Sequence, residues 1–219
     1  MDDPIRRHPT RAEQLDILTT LIADHAGPGD HLLDLGCGVG YVGELILNRH
    51  TELQMVGVDF SSDVLDKARA NLAHMKNRVT FYKGDLGALS EANIPERKYR
   101  FIISVLAFHE ISDLEKQAAI EWSVKNLAHD GFIFLYDRVR LDESALFSVQ
   151  KSIWKRVERL YGEAMRGAEN FEEYRESFAN KTPPASLQNY LHWFDSVGLA
   201  AACLHLHGNI ALIGGVKRS

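Results

Sequence analysis

The sequence predicts an α/β fold: a mostly parallel seven-stranded sheet with helices on both faces, closed by a C-terminal antiparallel hairpin. Three observations carry this. Five apolar runs of strand length recur between helix-like segments, and strands that read as continuous apolar runs belong to a parallel sheet covered on both faces. The first run feeds a cluster of glycines that opens a helix. The last two runs meet at Gly208-Asn209, a dipeptide suited to a tight antiparallel turn.

Each element follows in order. From about Thr10 to Ala26, Leu15, Leu18, Leu21 and Ile22 recur at helical spacing, and Gly27-Pro28-Gly29-Asp30 stops that helix. His31–Leu35 is a strand running into Gly36, Gly38, Gly40 and Gly43, and the following helix carries Val42, Leu45 and Ile46 on one face. Met55–Val58 is a second strand, ending at Asp59 before a helix from about Asp63 to Met75. Arg78–Tyr82 is a third, ending at Gly84-Asp85. Phe101–Leu106 is a fourth, followed by a helix from about Leu114 to Leu127, and Phe132–Tyr136 is a fifth, ending at Asp137.

The rhythm then breaks. Residues 141–181 are helix-like and rich in charge, with Trp154, Tyr161, Phe171, Tyr174 and Phe178 interspersed, so this stretch is expected to be an insertion that forms a lid. Its aromatic and basic residues suit either substrate selection or packing of an amphipathic helix pair onto the domain. A short helix, Leu187–Val197, precedes the final strands Ala200–His207 and Ile210–Val216. At 219 residues, a single domain over 1–219 is expected.

Composition narrows the function classes. A hydrophobic fraction of 45%, a charged fraction of 25% and a net charge of −5 fit an ordinary globular protein and oppose a nucleic-acid binder with a basic face. No apolar run has the length of a membrane span or a signal-peptide core. Cys37 and Cys203 form neither a disulfide framework nor a metal-ligand spacing. These absences favour a reducing, cytoplasmic setting, and a monomer or homodimer without a metal is expected.

A strand, a glycine-rich turn and a helix N-terminus let backbone approach a ligand closely and leave N–H groups to bind it. Here the loop reads Asp34-Leu35-Gly36-Cys37-Gly38-Val39-Gly40. Gly38 to Gly43 alone also fits the dinucleotide pattern G-x-G-x-x-G, which keeps a nicotinamide dehydrogenase among the alternatives.

The wider stretch LLDLGCGVGYVGELI resembles the first motif of class I S-adenosylmethionine (SAM)-dependent methyltransferases, small-molecule type. Further matches follow in order: Asp59 and Phe60 in VGVDFS, Gly84, Asp85 and Leu86 in YKGDL, Val105 and Leu106 before His109, and LAHDGFIFLYD. The resemblance covers residues 31–138 continuously and 186–216 more loosely. It implies a Rossmann-like sheet, SAM as cofactor, and a cofactor site drawn from Asp34, Gly36, Cys37, Gly38, Gly40, Asp59, Phe60, Gly84, Asp85, Leu86, Val105 and Leu106. Asp59 would hold the ribose hydroxyls and Asp85 the adenine amine, consistent with the acceptor capacity of carboxylates. Asp34 would face the methionine ammonium or tie down loop N–H groups. Structural alternatives are a helix cap for Asp59, a turn for Asp85 and a buried filler for Cys37.

His109, Tyr136 and Arg138 are the candidates for chemistry, because they lie at the strand edge where open α/β sheets bind ligands. A histidine with a reference pKa near 6.5 suits removal of an acceptor proton, though it also suits packing beside the cofactor. Neighbours on a helix do not face each other, so Glu110 is not expected to orient it. Asp137 invites comparison with metal-dependent catechol methyltransferases, but the fourth strand offers Ser104 and no acidic residue before His109. Arg138 suits an acidic substrate group or a salt bridge to the insertion; Arg6, Arg7 and Arg11 are expected in solvent, with an arm closing over SAM as the alternative. Alternatives to methyl transfer are a non-methylating SAM enzyme resembling carboxy-SAM synthases and a SAM-binding protein without turnover.

Overall fold

The computed structural model describes residues 11–161, 167–179 and 182–218. Strands β1 (His31–Leu35), β2 (Gln54–Asp59), β3 (Val79–Lys83), β4 (Tyr99–Val105), β5 (Leu127–Arg138), β6 (Leu199–His207) and β7 (Ile210–Lys217) form one sheet in the order β3-β2-β1-β4-β5-β7-β6. The β1–β2, β2–β3, β1–β4 and β4–β5 pairs are parallel. β7 runs antiparallel to both β5 and β6, so it alone is reversed. The chain reverses direction of strand order at β1, between β2 and β4, and ligands of open α/β sheets bind at such a switch point beyond the carboxyl ends of the strands.

Helices α1 (Arg11–His25), α2 (Tyr41–Arg49), α3 (Ser62–Asn71), α4 (Asp113–Asn126) and α7 (Leu187–Ser196) flank the sheet. One core joins Leu15, Leu18 and Ile22 of α1 and Val42 and Ile46 of α2 to Phe134, Tyr136 and Leu212 of the sheet. The other joins Ile120 of α4 and Tyr190 and Phe194 of α7 to Leu33, Ile102 and Leu135. Alternate strand residues thus serve opposite faces, as the pleat requires. Among the described residues no helix is long and apolar enough to cross a membrane.

The direction of α1 matters for the site. The His25 ring at its end meets the edge of Phe132, with 5.1 Å between ring centroids, at the sheet's amino-terminal side. Gln14 near its start donates from Nε2 to the Ile210 carbonyl at 3.0 Å. The helix therefore runs antiparallel to β5 and delivers its first residue, Arg11, to the carboxyl end of that strand.

Two boundaries differ from the sequence reading. The helix expected to reach Met75 ends at Asn71 and gives way to a 3₁₀ turn at Ala73–Met75. Asn71 there donates from its side chain to the Val39 carbonyl at 3.0 Å, tying the helix end to the glycine loop. β5 extends from Leu127 to Arg138: β4 pairs with it at Leu127 and, across an irregularity, again from Phe132 to Tyr136, and β7 pairs with it from Phe132 to Arg138.

The insertion contains α5 (Phe147–Tyr161) and α6 (Phe171–Glu176). Phe147, Trp154 and Tyr174 form their own cluster, with Trp154 and Tyr174 centroids 5.6 Å apart. Its aromatic rings therefore pack chiefly on one another. Residues 162–166 and 180–181 of the expected lid lie outside the described residues, as do Arg6 and Arg7.

Candidate active site

A cavity of about 950 Å³ opens at the carboxyl ends of β1, β2, β4 and β5. Of the residues singled out in the sequence, Asp34, Gly36, Cys37, Gly38, Asp59, Phe60, Asp85, Leu86, Val105, Leu106, His109 and Arg138 line it. Gly40, Gly84 and Tyr136 do not. Gly40 is the cap of α2, with φ +83°, and stands one layer back. Tyr136 is fully buried in the α1 core, where burial pushes its phenol pKa upward.

The glycine loop is held from behind and open in front. The N–H groups of Gly36 and Cys37 both donate to the Val58 carbonyl, at 2.8 and 2.9 Å. Gly36 has φ +75°, and a Cβ there would sit 2.4 Å from Cβ of Ala107, so the β1 and β4 loops touch at a point only glycine fits. Gly38 has φ +54° but no heavy atom within 4 Å of where a Cβ would lie. Its bare backbone faces the cavity, which is the arrangement a closely bound ligand needs.

Asp59 at the end of β2 accepts from Gly38 N–H through Oδ2 and from Ser61 N–H through Oδ1, both at 3.0 Å. Ser61, not Asp59, caps α3, accepting from Val64 N–H. A carboxylate offers about four lone-pair sites, so two remain for a diol. Asp85 is exposed and accepts from Gly87 N–H at 2.9 Å, so it closes a turn while presenting its other oxygen to the cavity. Phe60 is 72% exposed at the rim, a flat apolar surface beside Asp59.

Asp34 is the unusual carboxylate. It is 1% exposed, and Oδ2 has no hydrogen-bond partner. Burial, with a smaller contribution from the Asp59 charge, pushes its pKa up to about 7. An orphaned buried oxygen at a cavity wall is a receptor for a donor that the chain itself does not supply. A ligand ammonium meets that need, so the residues present fit SAM: a cation receptor at Asp34, diol acceptors at Asp59, and open backbone at Gly38. Cys37, buried next to both carboxylates, has its thiol pKa driven upward, which suits a filler and not a nucleophile.

Beyond β4 the chain enters a short 3₁₀ turn, Phe108–Glu110, after Leu106, which has the positive φ of 56°. Strained non-glycine backbone of this kind clusters at functional sites. The turn places His109 against Asp137 at the end of β5. His109 Nδ1 lies 2.6 Å from Asp137 Oδ1, and the His109 backbone N–H donates to Oδ2 at 2.8 Å. With Nδ1–H donating, Nε2 is left as an acceptor.

Three features escaped the sequence reading. Asp137, considered there beside metal ligands, is engaged by His109 and by the Arg138 N–H at 2.7 Å. Glu110 does meet His109, with Oε1 3.0 Å from Nε2. The one-turn 3₁₀ segment is too short to splay neighbours as a helix does, and the Glu110 side chain, 77% exposed, folds back across the ring. Arg11, expected in solvent, is 6% exposed and lines the cavity. Its signal was present: Arg11, Leu15, Leu18 and Ile22 share one helical stripe.

Comparison with known proteins agrees with this geometry. Residues 32–131 match the model of a methyltransferase domain. The chain is 28% identical over 148 residues to a carboxy-S-adenosyl-L-methionine synthase of Campylobacter lari, covering 67% of this chain and 61% of that protein. The chain thus spans less than two thirds of that relative's length. Its fold is similar to that of an O-methyltransferase family protein from Burkholderia thailandensis, with a TM-score of 0.70 at 16% identity, over 96% of this chain and 57% of the other. It is also similar to magnesium protoporphyrin IX methyltransferase from Synechocystis, solved with bound SAH, with a TM-score of 0.64 at 15% identity, over 94% and 83% of the two chains. The glycine loop, the carboxylates on successive strands and the reversed β7 thus accompany a match of residues 32–131 to a methyltransferase domain and a fold similar to that of solved methyltransferases.

Proposed function

We propose that the protein transfers the SAM methyl group to a small-molecule acceptor by in-line displacement, with His109 as the base. The observation that carries this reading is the double hold of Asp137 on His109 at the wall of the cofactor cavity. Bound SAM supplies a methyl group already activated on a sulfonium. The chain must then hold an acceptor in line with that methyl and take up the proton its nucleophile loses.

Asp34, Asp59 and Asp85 hold the cofactor at the β1–β3 side, with Gly36, Gly38, Phe60, Leu86, Val105 and Leu106 shaping the contact. Asp137 keeps the Nδ1–H tautomer of His109 and stabilises the imidazolium that forms when Nε2 accepts the acceptor's proton. Glu110, exposed and next to Nε2, receives that proton and passes it to solvent. Arg138 binds the acceptor. The net charge of −5 supports a small acceptor over a nucleic acid. The free thiols Cys37 and Cys203 support a cytoplasmic protein.

A second reading is favoured by the similarity to the Campylobacter lari carboxy-SAM synthase: SAM itself is modified to a carboxylated product, its methyl carbon losing a proton and taking CO2 released by a carboxylic acid co-substrate. Mass spectrometry of reactions with SAM, a panel of methyl acceptors and a panel of decarboxylating carboxylic acids separates the two. Release of S-adenosylhomocysteine with a methylated acceptor supports methyl transfer. A carboxylated nucleoside sulfonium, with no methylated acceptor, supports the second reading. SAM recovered intact across the panel, despite saturated binding, would remove both.

A further inference from the structure

Charge is segregated along the cavity by strand order. Neighbouring strands stand ~4.8 Å apart, so the sequence β3-β2-β1-β4-β5 spreads their terminal side chains along a line. On one side of β4 the charged groups lining the cavity are Asp34, Asp59 and Asp85, at or just beyond the ends of β1, β2 and β3. On the other side they are Arg138, the last residue of β5, and Arg11, from the first turn of α1. His109 and its neighbour Glu110 follow β4 between the two groups.

The two arginines reach this end for different reasons. Arg138 is carried there by the strand, and among the described residues no carboxylate pairs with its guanidinium. Its backbone N–H is held by Asp137, which fixes where the side chain begins. Arg11 is carried there by the antiparallel course of α1 along β5, and it lies near enough to Tyr136 that its charge opposes the burial that raises that phenol's pKa. A guanidinium held at a half-enclosed wall favours a planar oxyanion, which it can bind through two parallel N–H···O contacts.

We propose that Arg11 and Arg138 form an anion-binding subsite at the β5 end of the cavity, which takes a carboxylate or phosphate group of the acceptor and presents the acceptor to His109. The proposal rests on reading the acidic end as the SAM site. With that end filled by a cationic cofactor, the β5 end is what remains for the acceptor, and its charge selects an anion. The subsite positions the acceptor and leaves proton removal to His109.

The test uses the full chain, first titrated calorimetrically with S-adenosylhomocysteine. Absence of that binding would defeat the cofactor reading itself, before the anion question arises. The saturated protein is then titrated with benzoate, succinate and phenyl phosphate, each beside its neutral counterpart: benzamide, succinamide and phenol. Hydrogen bonds to a charged group of this kind give a preference of about tenfold or more. At least one anion should exceed its neutral counterpart by that margin, and Arg138→Gln should reduce the preference to within about twofold while S-adenosylhomocysteine affinity is kept. Arg138→Lys should retain part of it. Arg11→Gln gives a second, independent reduction. A stronger response to phenyl phosphate than to the carboxylates would identify a phosphorylated acceptor, and the reverse a carboxylic acid. Equal affinity for anions and neutral compounds across the panel, or an anion preference unchanged in Arg138→Gln, would overturn the subsite while leaving the cofactor site intact.

Discussion

Asp137 holds His109 at two points, accepting from its backbone N–H at 2.8 Å and meeting its Nδ1 at 2.6 Å. The two residues are 28 positions apart in sequence and belong to neighbouring strand ends. Such a contact fixes the position of the turn and the orientation of the ring together. Nε2 faces the exposed Glu110 side chain at 3.0 Å, so a substrate reaches that ring atom only as Glu110 turns aside.

If His109 is the base, His109→Ala should lower turnover by roughly 10²–10⁴-fold, the range general bases contribute, with S-adenosylhomocysteine affinity changed little. Asp137→Asn should lower turnover by at least about tenfold through loss of the tautomer and of imidazolium stabilisation. Steady-state kinetics beside calorimetry checks both. Equal losses in turnover and in cofactor affinity would assign His109 to packing.

Asp34 makes cofactor binding depend on pH. Its folded-state pKa of about 7 lies above the ordinary value of 3.8, so the folded protein retains a proton that the unfolded chain has lost between those values. The stability associated with that proton is complete below about pH 4 and is lost as pH rises through 7. Binding of a cation selects the ionised form, so SAM affinity should rise from pH 6 to 8, and Asp34→Asn should flatten the rise and weaken binding. Without ligand, Asp34→Asn removes the buried charge, so the variant's melting temperature at pH 8 should match or exceed that of the parent. Calorimetry and thermal melts at three pH values read out both, and a pH-independent affinity in the parent protein would dismiss the role.

Asp59 serves the ligand and the loop at once, through Gly38 and Ser61. Asp59→Ala should weaken SAM binding by at least about tenfold, as expected for losing charged acceptors to a diol. An affinity equal to that of the parent, measured by titration, would remove the ribose assignment.

Two glycine substitutions separate fold from ligand. Gly36→Ala drives a Cβ to 2.4 Å from Ala107 at φ +75°, so it should cost stability by about 1–3 kcal/mol. Gly38→Ala carries the same left-handed backbone cost at φ +54° but meets open space, so it should lower the melting temperature less than Gly36→Ala while weakening SAM binding. A loss of stability with Gly38→Ala as large as with Gly36→Ala would show that the loop front is structural.

The insertion gives the last test. It should become more resistant to limited proteolysis when S-adenosylhomocysteine and acceptor bind, if it closes over the cavity. Identical digestion patterns with and without ligand would count against a lid and leave α5 and α6 as a packing unit around Trp154 and Tyr174.

The strand alternation and the glycine loop were legible in the sequence by itself, and the resemblance to methyltransferase motifs marked Asp34, Asp59 and Asp85 at the strand ends beside them. Each is a local signal: apolar runs bury strands, closely spaced glycines open a tight turn, and an acidic residue ending a strand must lie at the sheet edge. Those rules led to a cavity that the tertiary structure then assembled, since residues at successive parallel strand ends necessarily share one edge. What only the tertiary structure decided were the pairings between distant segments. Asp137 meets His109 because β5 lies beside β4, and Arg11 reaches the cavity because α1 runs antiparallel to β5. Tyr136 shares the α1 face with Arg138, two residues further on, but stands about 7 Å deeper from the strand end and so packs into the α1 core. Residues i and i+2 of a strand share a face, so depth from the strand end and the helix packed over it decide which of them reaches the site, and only the tertiary structure sets both.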